Sequence, residues 1–458
     1  MKQVEKNIYM TTEPVERLVL KLAVPTIISM LITSFYNMAD TFFVGKINTE
    51  ATAAVGVVFS VMAIIQAIGF LFGHGSGVFI SRKLGENKIK EATIMTSSGF
   101  FYSILCGILL AIIGLLFLNP LSYFLGSTDA FLSYTKDYLG IILFGAPIMT
   151  ASIVLNNQLR YQGNAVYAMV GIVSGAVINI ALDPLLIFVF DLGISGAAIA
   201  TIISQFISLL LLLLGTTKGG NIKLNVKNIS FSWYYLKTML QGGFPSLCRQ
   251  GLASIAVISL NLTAKAYGIE AIAGMSIVSR ITMFANSTMI GFGQGFQPVC
   301  GFNYGAKLYG RVRKAFWFCV KSSFVFLIVI GLLCFIFATN LVELFRKGDL
   351  KVIEVGTFAL QMQCITFPLN SWIILCNMML QAVGKSLSAS IAAASRQGLF
   401  FLPIIWILPR LFGIVGIQLA QPIADVLAVL LTLPLGLSFL RQLKRDERNQ
   451  IKLQGELD

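Results

Sequence analysis

Asp40 is an acid within an apolar run that is long enough to cross a membrane. It ends a row of polar residues whose spacing places them on one face of a helix: Ser29, Thr33, Tyr36, Asn37 and Asp40. A carboxylate at the bilayer centre costs a few kcal/mol, so an acid in such a run is a candidate for function. The alternative is that Asp40 lies near the outer end of its helix and simply faces water.

A second acid, Asp183, lies in the fifth apolar run, one helical turn after Asn179 and directly before Pro184. Neighbouring runs offer further hydroxyl and amide groups: Tyr138 in the fourth, and Thr201 and Gln205 in the sixth. If Asp40 and Asp183 meet among these groups, they titrate as a coupled pair. Such a pair can load and release a proton or hold Na+. The alternative is that Asp183 is a turn acid where its helix meets the outer loop.

Two further residues of the first half have a functional and a structural interpretation. Pro25 removes a backbone hydrogen bond from the first predicted helix and bends it. The bend is either coupled to protonation of Asp40 or static. His74, the single histidine, lies in a glycine-rich run, where we expect close packing rather than a proton relay.

The second half has no acids that match Asp40 and Asp183 in its first and fourth helices. It offers instead three arginines and one acid in its apolar runs: Arg249, Arg280, Arg396 and Asp425. Buried guanidinium groups need partners. These residues therefore form a structural polar network, or they bind an anionic or zwitterionic substrate.

The composition excludes a soluble protein. Of the 458 residues, 56% are hydrophobic and 12% are charged, whereas soluble domains carry about 25% charged residues. The net charge of +14 comes from cations in short loops between apolar runs, which argues against nucleic-acid binding. The seven cysteines are odd in number and show no CxxC spacing, so neither a disulfide framework nor a zinc site is predicted.

A spanning helix needs about 20 apolar residues, and the sequence contains twelve such runs. They are 18–43, 52–80, 92–118, 133–157, 165–190, 194–215, 236–264, 270–300, 314–339, 353–381, 388–410 and 413–440. Most lysines and arginines, Arg160 included, fall in every second loop and in the two termini, beginning with Lys2. The alternate loops hold few, among them Lys347. The positive-inside rule therefore places both termini in the cytoplasm.

Internal repetition organises these helices into two halves. Each first-half position below recurs 220 or 221 positions later: Phe72 and Phe292, Gly85 and Gly305, Asn156 and Asn377, Gly193 and Gly413. We predict an all-α integral membrane fold of twelve transmembrane helices in two six-helix lobes, related by a pseudo-twofold axis along the membrane normal. The predicted units are an N-lobe (1–217), a cytoplasmic inter-lobe loop (218–235), a C-lobe (236–441) and a cytoplasmic tail (442–458).

At this level the sequence resembles the multidrug and toxic compound extrusion (MATE) family, and within it the bacterial MepA-like branch. The resemblance rests on Pro25 with the run 37–45, on the segment 243–250 (GFPSLCRQ), and on Gln294-Gly-Phe-Gln-Pro298 followed by the segment 303–307 (NYGAK). It implies two six-helix lobes and export of cationic drugs in exchange for H+ or Na+.

The resemblance also implies which residues couple ion and drug. In family members with an acidic N-lobe site, the coupling residues correspond to Asp40 and Asp183, with Asn179, Thr201, Tyr36 and Tyr138 as supporting groups. Other members use acids in the seventh and tenth helices, which this sequence lacks, so coupling is expected in the N-lobe. The candidate substrate-cavity residues are Thr33, Asn37, Asn156, Gln205, Arg249, Arg280 and Asn377.

The predicted function is a secondary active multidrug exporter that works by alternating access and antiports organic cations against H+ or Na+. The sequence has no Walker A motif, so ATP is not expected as a partner. No other cofactor and no nucleic acid are expected, and the protein is not predicted to be an enzyme. We expect a monomer in the inner membrane of a bacterium. The alternative function is a flippase for lipid-linked oligosaccharide, whose pyrophosphate would be held by Arg249, Arg280 and Arg396.

Overall fold

The structure, a computed structural model, describes residues 3–346 and 348–455. Two lysines that were used to predict the membrane orientation, Lys2 and Lys347, lie outside the described residues. The last three residues of the predicted tail lie outside them too. The first half contains the helices α1 (Gln3–Thr12), α2 (Val15–Val44), α3 (Thr49–Gly85), α4 (Ile89–Leu116), α5 (Leu118–Phe124), α6 (Leu132–Tyr161), α7 (Ala165–Pro184) and α8 (Gly193–Thr217). A π-helical turn, Leu185–Val189, follows α7.

The second half repeats this order after a linker that holds one short 3-10 turn (Val226–Asn228). Its helices are α9 (Trp233–Lys265), α10 (Ile269–Gly305), α11 (Tyr309–Ile336), α12 (Ala338–Phe345), α13 (Leu350–Thr366), α14 (Leu369–Ala382), α15 (Ser386–Ala394), α16 (Leu402–Phe412) and α17 (Ile414–Gly455). A π-helical stretch, Ser395–Phe401, joins α15 to α16. Helix α17 continues without a break through residues 442–455 of the segment that was predicted as a tail.

Each of the twelve predicted apolar runs falls on one of these helices or helix pairs. Ten helical segments of the described chain are long and apolar enough to cross a membrane; two of them, Ala165–Val189 and Ser386–Phe412, include a π-helical stretch. Helices α13 and α14 together make an eleventh span, which bends by 57° between Thr366 and Leu369. Helix α10, 37 residues long, carries the remaining predicted run, 270–300, and is not apolar enough to be counted among these spans. The all-α membrane fold in two lobes is therefore confirmed.

Two pairs of corresponding helices have the same length, and one pair of corresponding asparagines makes the same contact. Helices α3 and α10 each have 37 residues, and α4 and α11 each have 28. The Asn156 amide donates to the Ala168 carbonyl over 2.8 Å, and the Asn377 amide donates to the Ala389 carbonyl over 2.7 Å. Both asparagines thus hold the start of the next helix.

The two lobes meet where α3 crosses α10. A Cβ atom on Gly85 would lie 2.1 Å from the carbonyl oxygen of Phe302, and a Cβ atom on Gly305 would lie 2.1 Å from that of Arg82. The contact is reciprocal, as expected for residues beside a twofold axis. Only glycine allows backbones to approach this closely, so the repeated glycines permit the lobes to close on this side.

We call this side the basic face; it comprises the two termini and the loops 86–88, 162–164, 218–232, 306–308 and 383–385. Helix α1 lies across it and touches both lobes. The Asn7 amide donates to the Leu84 carbonyl in the N-lobe over 3.1 Å. The Asn303 amide of the C-lobe donates to the Met10 carbonyl over 3.2 Å. Helix α1 therefore ties the lobes together on the basic face.

The docking of α1 is expected to depend on pH through Lys6. This side chain is buried, donates to Asn221 Oδ1 over 2.8 Å, and has its pKa lowered by burial to about 7 from 10.5. Between these two values the undocked segment binds more protons, so docking gains stability as pH rises through 7. Hydrogen exchange of the α1 amides, corrected for intrinsic rates, should be slower at about pH 9 than at about pH 6.

The variant Lys6→Met is expected to remove this pH dependence, because it removes the group that titrates. The control Lys90→Met changes an exposed lysine on the same face and should keep it. Equal protection of α1 at both pH values in the unaltered protein would contradict the prediction.

Candidate functional site

The N-lobe encloses a cavity of about 110 Å³ between α2, α6, α7 and α8. Six polar residues that were predicted from the sequence line it: Thr33, Tyr36, Asn156, Asn179, Thr201 and Gln205. Apolar and sulfur-containing side chains, among them Met30, Phe70 and Met149, complete the wall. The mixture of apolar surface and a few polar groups is typical of small-molecule sites.

Asp183 lies in the last turn of α7 and is 0% exposed. The Asn179 amide donates to its Oδ1 atom over 3.4 Å. Pro184 follows within the helix, and the chain then continues as a π-helical turn instead of a loop. The structure therefore excludes the alternative in which Asp183 is an exposed turn acid.

Asp40 lies near the end of α2 and is half-buried, with its Oδ1 atom shielded from solvent. Asp40 and Asp183 act on each other electrostatically, and both act on Tyr36 and Tyr138. Tyr138 is fully buried and contacts the Thr201 side chain. The tertiary structure thus brings all six predicted coupling residues into one group, which we call the acidic chamber: Asp40, Asp183, Asn179, Thr201, Tyr36 and Tyr138.

Three oxygen atoms of the acidic chamber are buried without a hydrogen-bond partner in the part of the chain that the structure describes: Asp40 Oδ1, Asp183 Oδ2 and Asn179 Oδ1. Buried polar atoms nearly always have a partner. Two carboxylate oxygens and an amide oxygen are acceptors that suit a proton or a small hard cation. Among the described residues, no group of three or more His, Cys, Asp or Glu residues could hold a transition metal.

Pro25 lies in α2 where the C-lobe packs against it. The Ser29 hydroxyl donates to the Pro25 carbonyl over 2.9 Å. Helix α10 approaches the same segment so closely that a Cβ atom on Gly295 would lie 2.4 Å from the Ala23 Cα atom. Pro25 therefore lies beside the contact between the lobes, on the same helix as Tyr36 and Asp40 of the chamber. Asn37, one turn before Thr41, is half-buried and does not line the cavity.

The candidate cavity residues of the C-lobe do not converge. Arg249 on α9 donates to Asn377 Oδ1 over 3.0 Å, whereas Arg280 lines a separate cavity between α9, α10, α13 and α17. The salt bridge between Arg396 and Asp425, at 2.7 Å from Nε to Oδ1, lies at that second cavity. The sequence alone did not reveal this separation.

The prediction that Arg160 is a loop cation is wrong. Helix α6 extends to Tyr161, and Arg160 is 2% exposed at the contact between the lobes. Its Nη1 atom donates to Gln294 Oε1 of the C-lobe over 2.6 Å. The repeat offers a signal that could have revealed this, because Arg160 and the buried Gln381 are 221 positions apart.

His74 is fully buried, as expected, and joins the two lobes through Arg160. The Arg160 Nη2 atom lies 3.1 Å from His74 Nε2, and His74 Nδ1 lies 2.6 Å from the Ser246 hydroxyl of the C-lobe. A guanidinium group only donates, so Nε2 accepts and the imidazole is neutral with its proton on Nδ1. We call the connected residues the inter-lobe network: Arg160, His74, Gln294, Ser246 and Gln381.

Known proteins share this two-lobed arrangement. The MatE family model matches residues 25–185 and 245–407, one match in each half of the chain. The chain belongs to the MATE family. The first segment contains five of the six residues of the acidic chamber, all except Thr201 on α8, and the second contains the C-lobe arginines. The MATE relationship therefore extends over both lobes.

Curated MATE relatives cover almost the whole chain. Multidrug export protein MepA of Staphylococcus aureus (strain MRSA252) is 28% identical over 428 residues, which are 93% of this chain and 94% of MepA. Multidrug export protein MepA of Staphylococcus haemolyticus (strain JCSC1435) is 27% identical over 98% of this chain and 99% of its own length. The predicted MepA-like relationship is therefore confirmed.

Solved MATE structures have the same fold. The outward-facing conformation of a multidrug resistance MATE family transporter of the MOP superfamily superposes with a TM-score of 0.89 at 25% identity, covering 95% of this chain and 99% of that one. A MATE protein in complex with MaL6 has a TM-score of 0.91 at 24% identity, covering 96% and 99%. The second similarity is one of fold alone.

Proposed function

We propose that this MATE transporter is a multidrug exporter that antiports organic cations against H+ or Na+, with the ion bound in the acidic chamber. The names of the MepA relatives support the class of cargo. The observation that carries the coupling proposal is the set of buried oxygen atoms without partners on Asp40, Asp183 and Asn179. A proton or Na+ supplies the missing partner.

The proposed cycle uses the charge of the Asp40 and Asp183 pair. When both carboxylates are ionised, the chamber attracts an organic cation. Entry of H+ or Na+ from the side opposite the basic face lowers the negative charge of the pair, weakens this attraction and releases the drug. A tenfold change in affinity needs only about 1.4 kcal/mol, which is within reach of one partly buried charge–charge interaction.

The proposed orientation follows from the charges of the basic face. Its excess of lysines and arginines favours a cytoplasmic location for both termini in the cytoplasmic membrane of a bacterium. We also propose that the N-lobe ends at residue 217, that the C-lobe begins at residue 236, and that the transporter is a monomer. In this orientation the structure is closed toward the cytoplasm.

The proposal is tested by dye efflux from cells under an imposed pH or Na+ gradient. We expect Asp40→Asn and Asp183→Asn each to reduce gradient-driven efflux about tenfold or more, because a neutral amide cannot alternate between charge states. The matched control is Asp191→Asn, which changes an exposed acid just beyond the π-helical turn and should transport normally. Unchanged efflux in both chamber variants would remove the coupling assignment.

The alternative is a flippase that clamps the pyrophosphate of a lipid-linked oligosaccharide between three arginines. Such a clamp needs Arg249, Arg280 and Arg396 at one place. Arg249 instead donates to Asn377, and Arg396 is neutralised by Asp425. Loss of function in alanine variants of these arginines, with Asp40→Asn still active, would favour the flippase over the exporter.

A further inference from the structure

The C-lobe contains a second cavity, of about 460 Å³, that lies between α9, α10, α13 and α17. Its volume falls within the range of about 300–1,000 Å³ that drug-sized ligands occupy. The apolar part of the wall consists of Val257, Leu260, Met275, Met283, Phe367 and Phe401. Phe59 of the N-lobe, itself exposed, forms the opposite side. The cavity therefore faces the space between the lobes.

Arg396 and Asp425 form an ion pair at this cavity, so their charges cancel. Arg396 donates from Nε to Asp425 Oδ1 over 2.7 Å, and Asp425 is 2% exposed. Asp425 also accepts from Gln421 Nε2 over 2.8 Å and from the Thr366 hydroxyl over 3.3 Å. Both carboxylate oxygens are thus occupied by protein donors, and Asp425 has no free acceptor to offer a cationic ligand.

Arg280 is the second cation of the cavity, and it has no counter-ion. It lies three turns into α10, on the face that also carries Met275 and Met283. Its side chain is exposed and makes no ion pair or hydrogen bond with any of the described residues. An arginine at membrane depth is costly unless water or an anion accepts its donors. The cavity therefore carries a net positive charge, opposite in sign to the acidic chamber.

The backbone at Arg396 is specialised as well. The stretch Ser395–Phe401 is π-helical, a rare conformation that often occurs at functional sites. It brings Arg396, Gln397 and Phe401 to the same cavity wall. Three independent features, a drug-sized volume, an unpaired guanidinium and a π-helical wall, thus coincide in one place.

We propose that this C-lobe cavity is a binding site for organic monoanions with a flat apolar body, such as aromatic carboxylates. The carboxylate accepts from Arg280, and the N–H groups of Arg396 that Asp425 does not use provide a second donor set. The ring packs against Met275 and Met283, since thioethers make favourable contacts with aromatic rings. This site goes beyond the proposed function, which concerns cations and ions in the other lobe.

A single net positive charge matches a monoanion better than a phosphate dianion. The apolar wall favours a ligand with a ring over a small inorganic anion. A diacyl lipid would have to leave its chains outside a cavity of this volume. The geometry therefore favours an organic monoanion over free phosphate and over a lipid headgroup.

The test is calorimetric titration of naphthoate into the purified full-length chain in nanodiscs of zwitterionic lipid. We expect saturable binding, and about tenfold or greater weakening in Arg280→Gln, because a charge-assisted hydrogen bond is lost. Methyl naphthoate, which has the same ring and no charge, should bind weakly and equally to both proteins. The double variant Arg396→Gln/Asp425→Asn removes the ion pair without leaving a buried charge, and should weaken naphthoate binding several-fold.

Two variants serve as controls. Lys265→Gln removes the same charge at the end of α9, outside the cavity, and should leave the dissociation constant unchanged. Asp191→Asn, at an exposed acid outside both sites, should also leave it unchanged. The coupling proposal is judged by dye efflux and this one by naphthoate binding, so their failures remain distinguishable. The proposal is overturned if Arg280→Gln binds like the unaltered protein or if methyl naphthoate binds as tightly as naphthoate. Displacement of naphthoate by equimolar phosphate or by phosphatidylglycerol overturns it too.

Discussion

Gly305→Val is expected to abolish transport while leaving the chain folded and in the membrane. A Cβ atom at this position would lie 2.1 Å from the Arg82 carbonyl oxygen, and the obstacle is backbone that cannot rotate away. Overpacking of this kind costs about 1–3 kcal/mol, which the transporter avoids by separating α3 from α10. The lobes would then stay apart on the basic face, and alternating access would stop.

Spin labels on Lys90 of the N-lobe and Lys444 of the C-lobe measure this separation, since both are exposed on the basic face. In Gly305→Val the mean distance between the two labels should increase, and the short distances that correspond to the closed state should disappear from the distribution. Gly85→Val should behave alike, because its contact is the reciprocal one. Gly56→Val is the matched control on the same helix as Gly85, since a Cβ atom there meets nothing within 4 Å. Normal efflux by Gly305→Val would show that closure at this crossing is dispensable.

Arg160→Met is expected to shift the transporter toward a state that is open at the basic face. The change removes the donor to Gln294 Oε1, His74 Nε2 and Asn157 Oδ1, all of them buried. A buried acceptor left without a partner costs about 1–3 kcal/mol. Opening the lobes lets water satisfy these atoms, so we expect the open population to rise about tenfold or more. The variant should still fold, because it also removes a buried charge that has no carboxylate partner among the described residues.

The same pair of spin labels reports this shift as a gain of the long component in the distance distribution. Arg249→Met is the matched control: it removes a half-buried arginine close to the network, but its hydrogen bond to Asn377 stays within the C-lobe. We expect little change in the distance distribution of that variant. An unaltered distribution in Arg160→Met would mean that the inter-lobe network does not hold the basic face closed.

The acidic chamber and the inter-lobe network are parts of one continuous site. The N-lobe cavity is lined by Tyr36 at the chamber end and by Arg160 at the network end. A molecule in this cavity can therefore contact residues of both groups. In the proposed cycle, this proximity would let ion binding in the chamber influence closure at the basic face.

The sequence by itself determined the membrane class, the repeat of six helices and the acids of the chamber. These features depend on local properties: the length of an apolar run, the cost of an acid inside it, and the recurrence of residues after 220 or 221 positions. Asp40 and Asp183 could be recognised without knowing where the other lay, because each is conspicuous within its own helix. The MATE resemblance added the expectation that they meet.

Only the tertiary structure decided which polar groups find partners across the molecule. Arg160 looked like a loop cation because it follows the fourth apolar run, and its burial depends on how far α6 extends and on Gln294, which lies 134 positions away. Arg249 and Arg280 looked equivalent, yet packing gives one an amide partner and leaves the other in a cavity. The partner of a buried charge comes from a segment distant in the chain, and a local sequence pattern does not predict which segment that is.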